Sequence, residues 1–208
     1  MKPYSPWLMS FVIYSLFFGW YTNLSGPLTE AEIEAYLQYV RSDERPAEQI
    51  ERLKAFMRTD TGDDFVMINV LDMNESPPDL PATGPDAEAS DLMNHYMEHM
   101  YRELFARASH PVFFGPAVAD AMDLQGIEGA SHWEQAGLVR YRSRRDILEI
   151  ALDPKFSERH DYKVGALTKT IAYPVEPTLN PGDPRFLLAL ILIAASAITQ
   201  LIVSRKVS

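Results

Sequence analysis

The sequence predicts an α+β fold, a ferredoxin-like βαββαβ domain with two preceding helices and a transmembrane helix at each end. Three observations carry this reading. Uncharged apolar runs lie near both ends, WLMSFVIYSLFFGWY at 7–21 and FLLALILIAASAITQLIV at 186–203. Between them the hydrophobic period alternates between that of strands and that of helices in the order strand, helix, strand, strand, helix, strand. The first strand is also apolar on both faces, which a sheet covered on one side only does not need.

Residues 1–24 are read as the first span and 186–208 as the second with its basic tail. Eighteen residues make a helix of about 27 Å, close to a hydrocarbon core of about 30 Å. The first run is shorter and relies on Trp and Tyr at the headgroup level. TNLSG after it lacks the small-x-small pattern of a cleavage site, so an uncleaved anchor is expected. Lys2 before the first run and Arg205 and Lys206 after the second place both termini in the cytoplasm of an inner-membrane protein, with the centre periplasmic or extracellular. Without those three, 16 basic residues of the total 19 face 29 acidic ones, a surface that repels nucleic acid. The absence of cysteine excludes disulfides, thiolate ligands and a cysteine nucleophile.

Residues 25–62 form a helical preface. Thr29 with Glu32 three later makes a capping box for TEAEIEAYLQYV, whose Ile33, Tyr36, Leu37 and Val40 share a face. A second helix starts near Pro46 and stops at Thr61-Gly62. In the main domain, 63–176, FVMINVLDM (65–73) sets Phe65, Met67, Asn69 and Leu71 against Val66, Ile68 and Val70. The proline-rich ESPPDLPATGPD is loop, and a helix spans about 88–108. Strands are expected at 111–119, bent at Gly115-Pro116, and at 132–142. Ser143 and Asp146 cap a helix that ends at Asp153-Pro154, and a last strand, 167–175, leads into a proline-rich stem at 177–185. Such a sheet has an open face, most simply covered by a second copy.

IEGASHWEQAGLVRYRSRRDILEIALDPKF together with FVMINVLDM resembles the DUF1330-like family of the dimeric α+β barrel superfamily over about 64–175. The matching positions are Asn69, Leu71, Trp133, Tyr141, Ser143, Arg144, Asp153, Pro154 and Phe156. The resemblance implies a fold and a homodimer. It selects no reaction, since relatives in the superfamily include cofactor-free monooxygenases, haem-degrading enzymes and isomerases.

HYMEH, 95–99, has the H-x-x-E-H order of some zinc peptidases, so His95 and His99, with Glu98, are candidate metal residues. They fall opposite the apolar stripe of Met93, Tyr96, Met97, Met100 and Leu104, near Arg102, and a distant acid, Glu176, lies next to the proline-rich stem. A solvated or partner-facing surface is the plainer reading. The methionines near these histidines lie on the buried stripe, which suits core filling better than copper binding. A second constellation offers Asn69, Trp133 and Tyr141 as ligand-pocket residues, with Asn69, His132 and Tyr141 as catalytic candidates and His132 as general base. Arg140, Arg142, Arg144 and Arg145 read as charge partners of Asp146, Glu149 and the acidic surface. No catalytic set is complete and no cofactor is expected. The preferred function is an assembly or interaction module, self-pairing or serving as an accessory subunit of a membrane complex. A membrane-tethered, cofactor-free enzyme or binder of small hydrophobic compounds is the alternative, and a zinc hydrolase the remote one.

Overall fold

The computed structural model describes residues 6–41 and 46–207. Element order is α1 (Pro6–Tyr21), α2 (Glu30–Arg41), α3 (Ala47–Arg58), β1 (Phe65–Met73), α4 (Ala89–Ala106), β2 (His110–Pro116), β3 (Gln135–Tyr141), α5 (Arg144–Ala151), α6 (Pro154–Gly165), β4 (Leu167–Val175) and α7 (Pro184–Val207). The chain divides into two compact units, one of residues 1–24 with 177–208 and one of 25–176.

In the first unit, α7 is long and apolar enough to cross a bilayer over Pro184–Arg205. It is the one such helix among the described residues. Helix α1 has 16 residues, about 24 Å, less than a typical hydrocarbon core. The two helices pack on each other. The hydroxyls of Ser10 and Ser196 lie 2.7 Å apart, and Ser196 is buried at their contact. Ala194, Ala195 and Ala197 beside it are the small residues that permit close helix approach.

In the second unit the sheet order is β2-β3-β1-β4, every pair antiparallel, which is the ferredoxin-like topology. Helix α4 packs on one face through Leu92, Tyr96, Met100 and Leu104, which join Phe65, Tyr141, Ile150 and Tyr162 in the main core. Strands β1 and β4 match the expected bounds. The hairpin strands are shorter than expected, because the chain from 117 to 134 turns away as a long loop.

One element was not expected. Asp153-Pro154, read as a helix stop, closes α5 and also opens α6. The Asp153 carboxylate accepts from Lys155 N at 2.8 Å and Pro154 takes the first helical position, where a missing N–H costs nothing. Helix α6 packs along α4 and covers the side on which the two histidines of HYMEH were placed.

The preface helices pack on the domain. Ile33, Leu37 and Met57 bury against Leu148 of α5, and Phe56 meets the Phe65 ring edge-on at 5.6 Å. Arginines around the start of α5 complete the joint. Arg144 donates to Thr59 and Glu176, each at 2.8 Å, and lies over the Phe56 ring, while Arg145 Nε donates to Glu32 at 2.6 Å. Arg142 makes a two-bond pair with Asp146, and Arg140, 1% exposed, reaches Asp64 at 2.8 Å. The cluster is therefore acid-paired as expected, although most partners come from the preface and the turn before β1, and Glu149 bonds Arg107 instead.

The Arg145 hydrogen bonds, with help from the Thr29 backbone, hold the Glu32 carboxyl down at about 2 from 4.5. A depressed carboxyl stabilises the fold fully above its unfolded value, and that stability is lost as pH falls from about 4.5 towards 2. Glu32→Gln should cost about 1 kcal/mol at neutral pH, allowing for partial exposure. Denaturant unfolding of both proteins from neutral pH into that acid window should show the gap closing.

Candidate functional site

Alternation along β1 directs Phe65, Met67, Asn69 and Leu71 towards the helices, opposite Tyr141, Val139, Gly137 and Gln135 of β3. Between this face and residues of α4, α5 and α6 lies a cleft of about 350 Å³. Its walls are mostly apolar, and Tyr101, Phe113 and Phe114 are exposed at its margin. Gly137 keeps the floor open: a Cβ there would lie 3.3 Å from the Phe114 ring, so a larger side chain would fill the space.

Polar groups converge in this apolar setting. Asn69 donates from Nδ2 to the Met67 and Gly137 carbonyls at 3.1 and 3.3 Å, which pins its amide. Burial pushes the Tyr96 and Tyr141 phenols well above the usual range, so both stay neutral hydroxyls. Tyr141 stacks on Phe65 with centroids 5.3 Å apart. Lys163 of α6 also lines the cleft, its Nζ 5.7 Å from the Tyr96 ring centroid. Burial holds its ammonium below the usual lysine range.

The cleft thus brings together Asn69 and Tyr141 of the expected pocket trio but not Trp133. Residues 132–134 precede β3 rather than belonging to it. The Trp133 indole N–H donates to the Ala130 carbonyl at 2.8 Å, with Lys169 over its ring. His132 is solvent-exposed outside the cleft, 2.9 Å from Asp120, whose hydrogen bond raises its pKa. With Asp72 and Glu134 it forms the single group of three potential metal ligands among the described residues. Lys169 lies 3.7 Å from Asp72 and offsets part of the cluster's negative charge.

His95 and His99 do not face solvent as expected. The His95 ring packs 4.3 Å from that of Tyr162, and His99 Nε2 is buried without a hydrogen-bond partner. Glu98 faces Arg159 at 3.5 Å. Among the described residues no third ligand joins the two histidines. Lys163 escaped the sequence reading because α6 did; an Asp-Pro pair followed by a full helical period was the signal that exposes both.

No protein-family model matches the chain, and no curated protein does. Solved structures share its fold. A protein of unknown function from Rhodopseudomonas palustris is 17% identical, with a TM-score of 0.50 over 66% of this chain and 97% of its own. The methylated form of that protein gives 0.52 over 67% and 96%, again at 17% identity. A dimeric ferredoxin-like protein of unknown function from Jannaschia sp. is 8% identical, with a TM-score of 0.35 over 55% of this chain and 99% of its own. At such identities the likeness to the Rhodopseudomonas protein is one of fold, and it extends over nearly all of that protein.

An unpaired ammonium in an apolar wall is a cost to the fold. Lys163→Met should therefore raise the melting temperature by a few degrees. A base whose pKa is lowered in the native state destabilises it most where both states would be protonated, so the gain should shrink as pH rises towards the ordinary lysine range. Thermal unfolding at several pH values checks the sign.

Proposed function

We propose that this protein is a membrane-attached interaction module whose ferredoxin-like domain pairs with a second copy through the open face of its sheet. The observation that carries this is the face opposite the helices. It presents Ile68, Val70, Leu138, Ile171 and Tyr173 in register, with Ile171 38% and Tyr173 47% exposed, while Val66 and Arg140 at one end of it are buried. The preface helices, the obvious internal cover, are committed to α5 and the start of β1. A contiguous apolar sheet face of this kind marks an association surface, and a two-fold pairing buries the same residues on both sides.

Anchoring supports the pairing. Helix α7 supplies one span by length and composition, and we read α1 as a second, short span joined to it at Ser10 and Ser196. The basic residues at the chain ends favour cytoplasmic termini and an exported domain. Copies tethered in one membrane meet at raised effective concentration, which favours association through a modest face. An accessory role in a larger membrane complex would use the same surface.

The full chain, solubilised mildly and weighed by light scattering, should run at twice its 23.6 kDa after correction for detergent. Ile171→Glu and Tyr173→Glu, both at exposed positions, should weaken pairing by about a hundredfold, roughly 2.7 kcal/mol, since each would bury an unpaired charge. A wild-type monomer, or variants that pair unchanged, would refute the pairing.

A second reading, that the domain binds a small hydrophobic compound, is favoured by the cleft of about 350 Å³, near the lower end of the usual pocket range of about 300–1,000 Å³. Saturable binding of 2-naphthamide to the full chain in lipid nanodiscs, measured against empty discs, should be abolished by Gly137→Leu, which fills the floor.

A further inference from the structure

The lining of the cleft carries one cationic side chain, Lys163, and no carboxylate. Its Nζ has no ion pair or hydrogen bond among the described residues, and it lies over the face of Tyr96. The carboxamide of Gln135 and the phenol hydroxyls of Tyr96 and Tyr141 also line the cleft and have no hydrogen-bond partner among the described residues. Asn69 spends its N–H groups on two carbonyls, which leaves Oδ1 as an acceptor.

A cation that borders an apolar cleft without a counter-charge is uncommon, because partial desolvation penalises its charged form. Acids are plentiful in this chain, 29 in all, and Arg140, Arg142, Arg144, Arg145 and Arg159 are each paired with one. Lys163 lines the cleft with no acid within ion-pair distance among the described residues.

We propose that the cleft takes an amphiphilic monocarboxylate, its carboxylate at Lys163 Nζ and its aromatic or aliphatic body along the wall formed by Met67, Met97, Met100 and Val139. Tyr96 and Gln135 supply further donors to the carboxylate, and the Asn69 oxygen accepts from any hydroxyl or amine on the body. A neutral ligand would leave the ammonium uncompensated; a cation would be repelled; a dianion would carry a second charge into an apolar wall. Methionine walls adapt to the shape of the body, so charge and amphiphilicity are specified more sharply than outline. This assignment rests on the reading of the cleft as a binding site and adds the class of compound.

The test compares 2-naphthoate with 2-naphthamide, matched in shape and differing in charge, on the full chain in nanodiscs. The wild type should bind the acid about tenfold more tightly than the amide, as a charge-assisted contact in an apolar site requires. Acid binding should weaken as pH rises through the lowered lysine pKa, while amide binding stays level. Lys163→Met should bring the two probes within about twofold of each other without losing the amide. Equal binding of acid and amide by the wild type, or an acid preference that survives Lys163→Met, would overturn the carboxylate assignment and leave the cleft reading standing. Failure of both probes to bind the wild type would overturn both.

Discussion

The structure depends on a mismatch between a sheet and its covering. Strand β1 occupies an interior position between β3 and β4 and is apolar on both sides, yet the domain supplies helices for one face only. Leaving such a face in water forfeits stabilisation of about 25 cal/mol per Å², so a sheet of this composition is half of a larger packing problem. The ferredoxin-like topology cannot solve it internally, because both of its crossover helices emerge on the same side. The added preface could have done so, but its apolar stripe is spent elsewhere.

What holds the preface elsewhere is charge as much as apolar contact. Four arginines within six residues, from Arg140 to Arg145, sit where β3 turns into α5. They reach Asp64, Asp146, Asp60 with Glu176, and Glu32 respectively. Arg144 alone joins α3, the turn after it and the end of β4, which ties the sequence before the domain to the sequence after it. Planar guanidinium groups suit this work, since each can address several oxygens at fixed angles. The joint also fixes where Phe56 enters the core beside Phe65.

Much of this was legible in the sequence. Period-two alternation placed β1 and β4 at their observed bounds, and the turn chemistry at Ser143 announced α5 with its cap to Asp146 N at 3.1 Å. The legible features are local. The hairpin from β2 to β3 was less so, because HWEQAGLVRYR continues the alternation upstream of the point where pairing to Leu71 ends. Helix α6 was hidden by the two meanings of one dipeptide: proline bars the helix before it and favours the helix after it. That ambiguity carried further consequences. Without α6, His95 and His99 read as facing water, Tyr162 had no place, and Lys163 had no role. Asn69 and Tyr141 line the cleft together, as strand parity predicts, because parity reports which side of a sheet a residue faces; Trp133 and His132 lie elsewhere because parity has no meaning outside the strand.

The same parity links the two surfaces. Ile68 and Val70 face the open side, while Asn69 between them faces the cleft, and their partners Leu138, Gly137 and Ala136 repeat the division on β3. A dozen residues of two strands therefore form both the floor of the cleft and the centre of the apolar face. Sheets are close-packed and transmit displacement poorly through soft deformation but well through rigid shifts of whole strands. The side chains on one face cannot be optimised without regard to the other, and Gly137, which keeps the cleft floor open, lies between Ala136 and Leu138 of the opposite face.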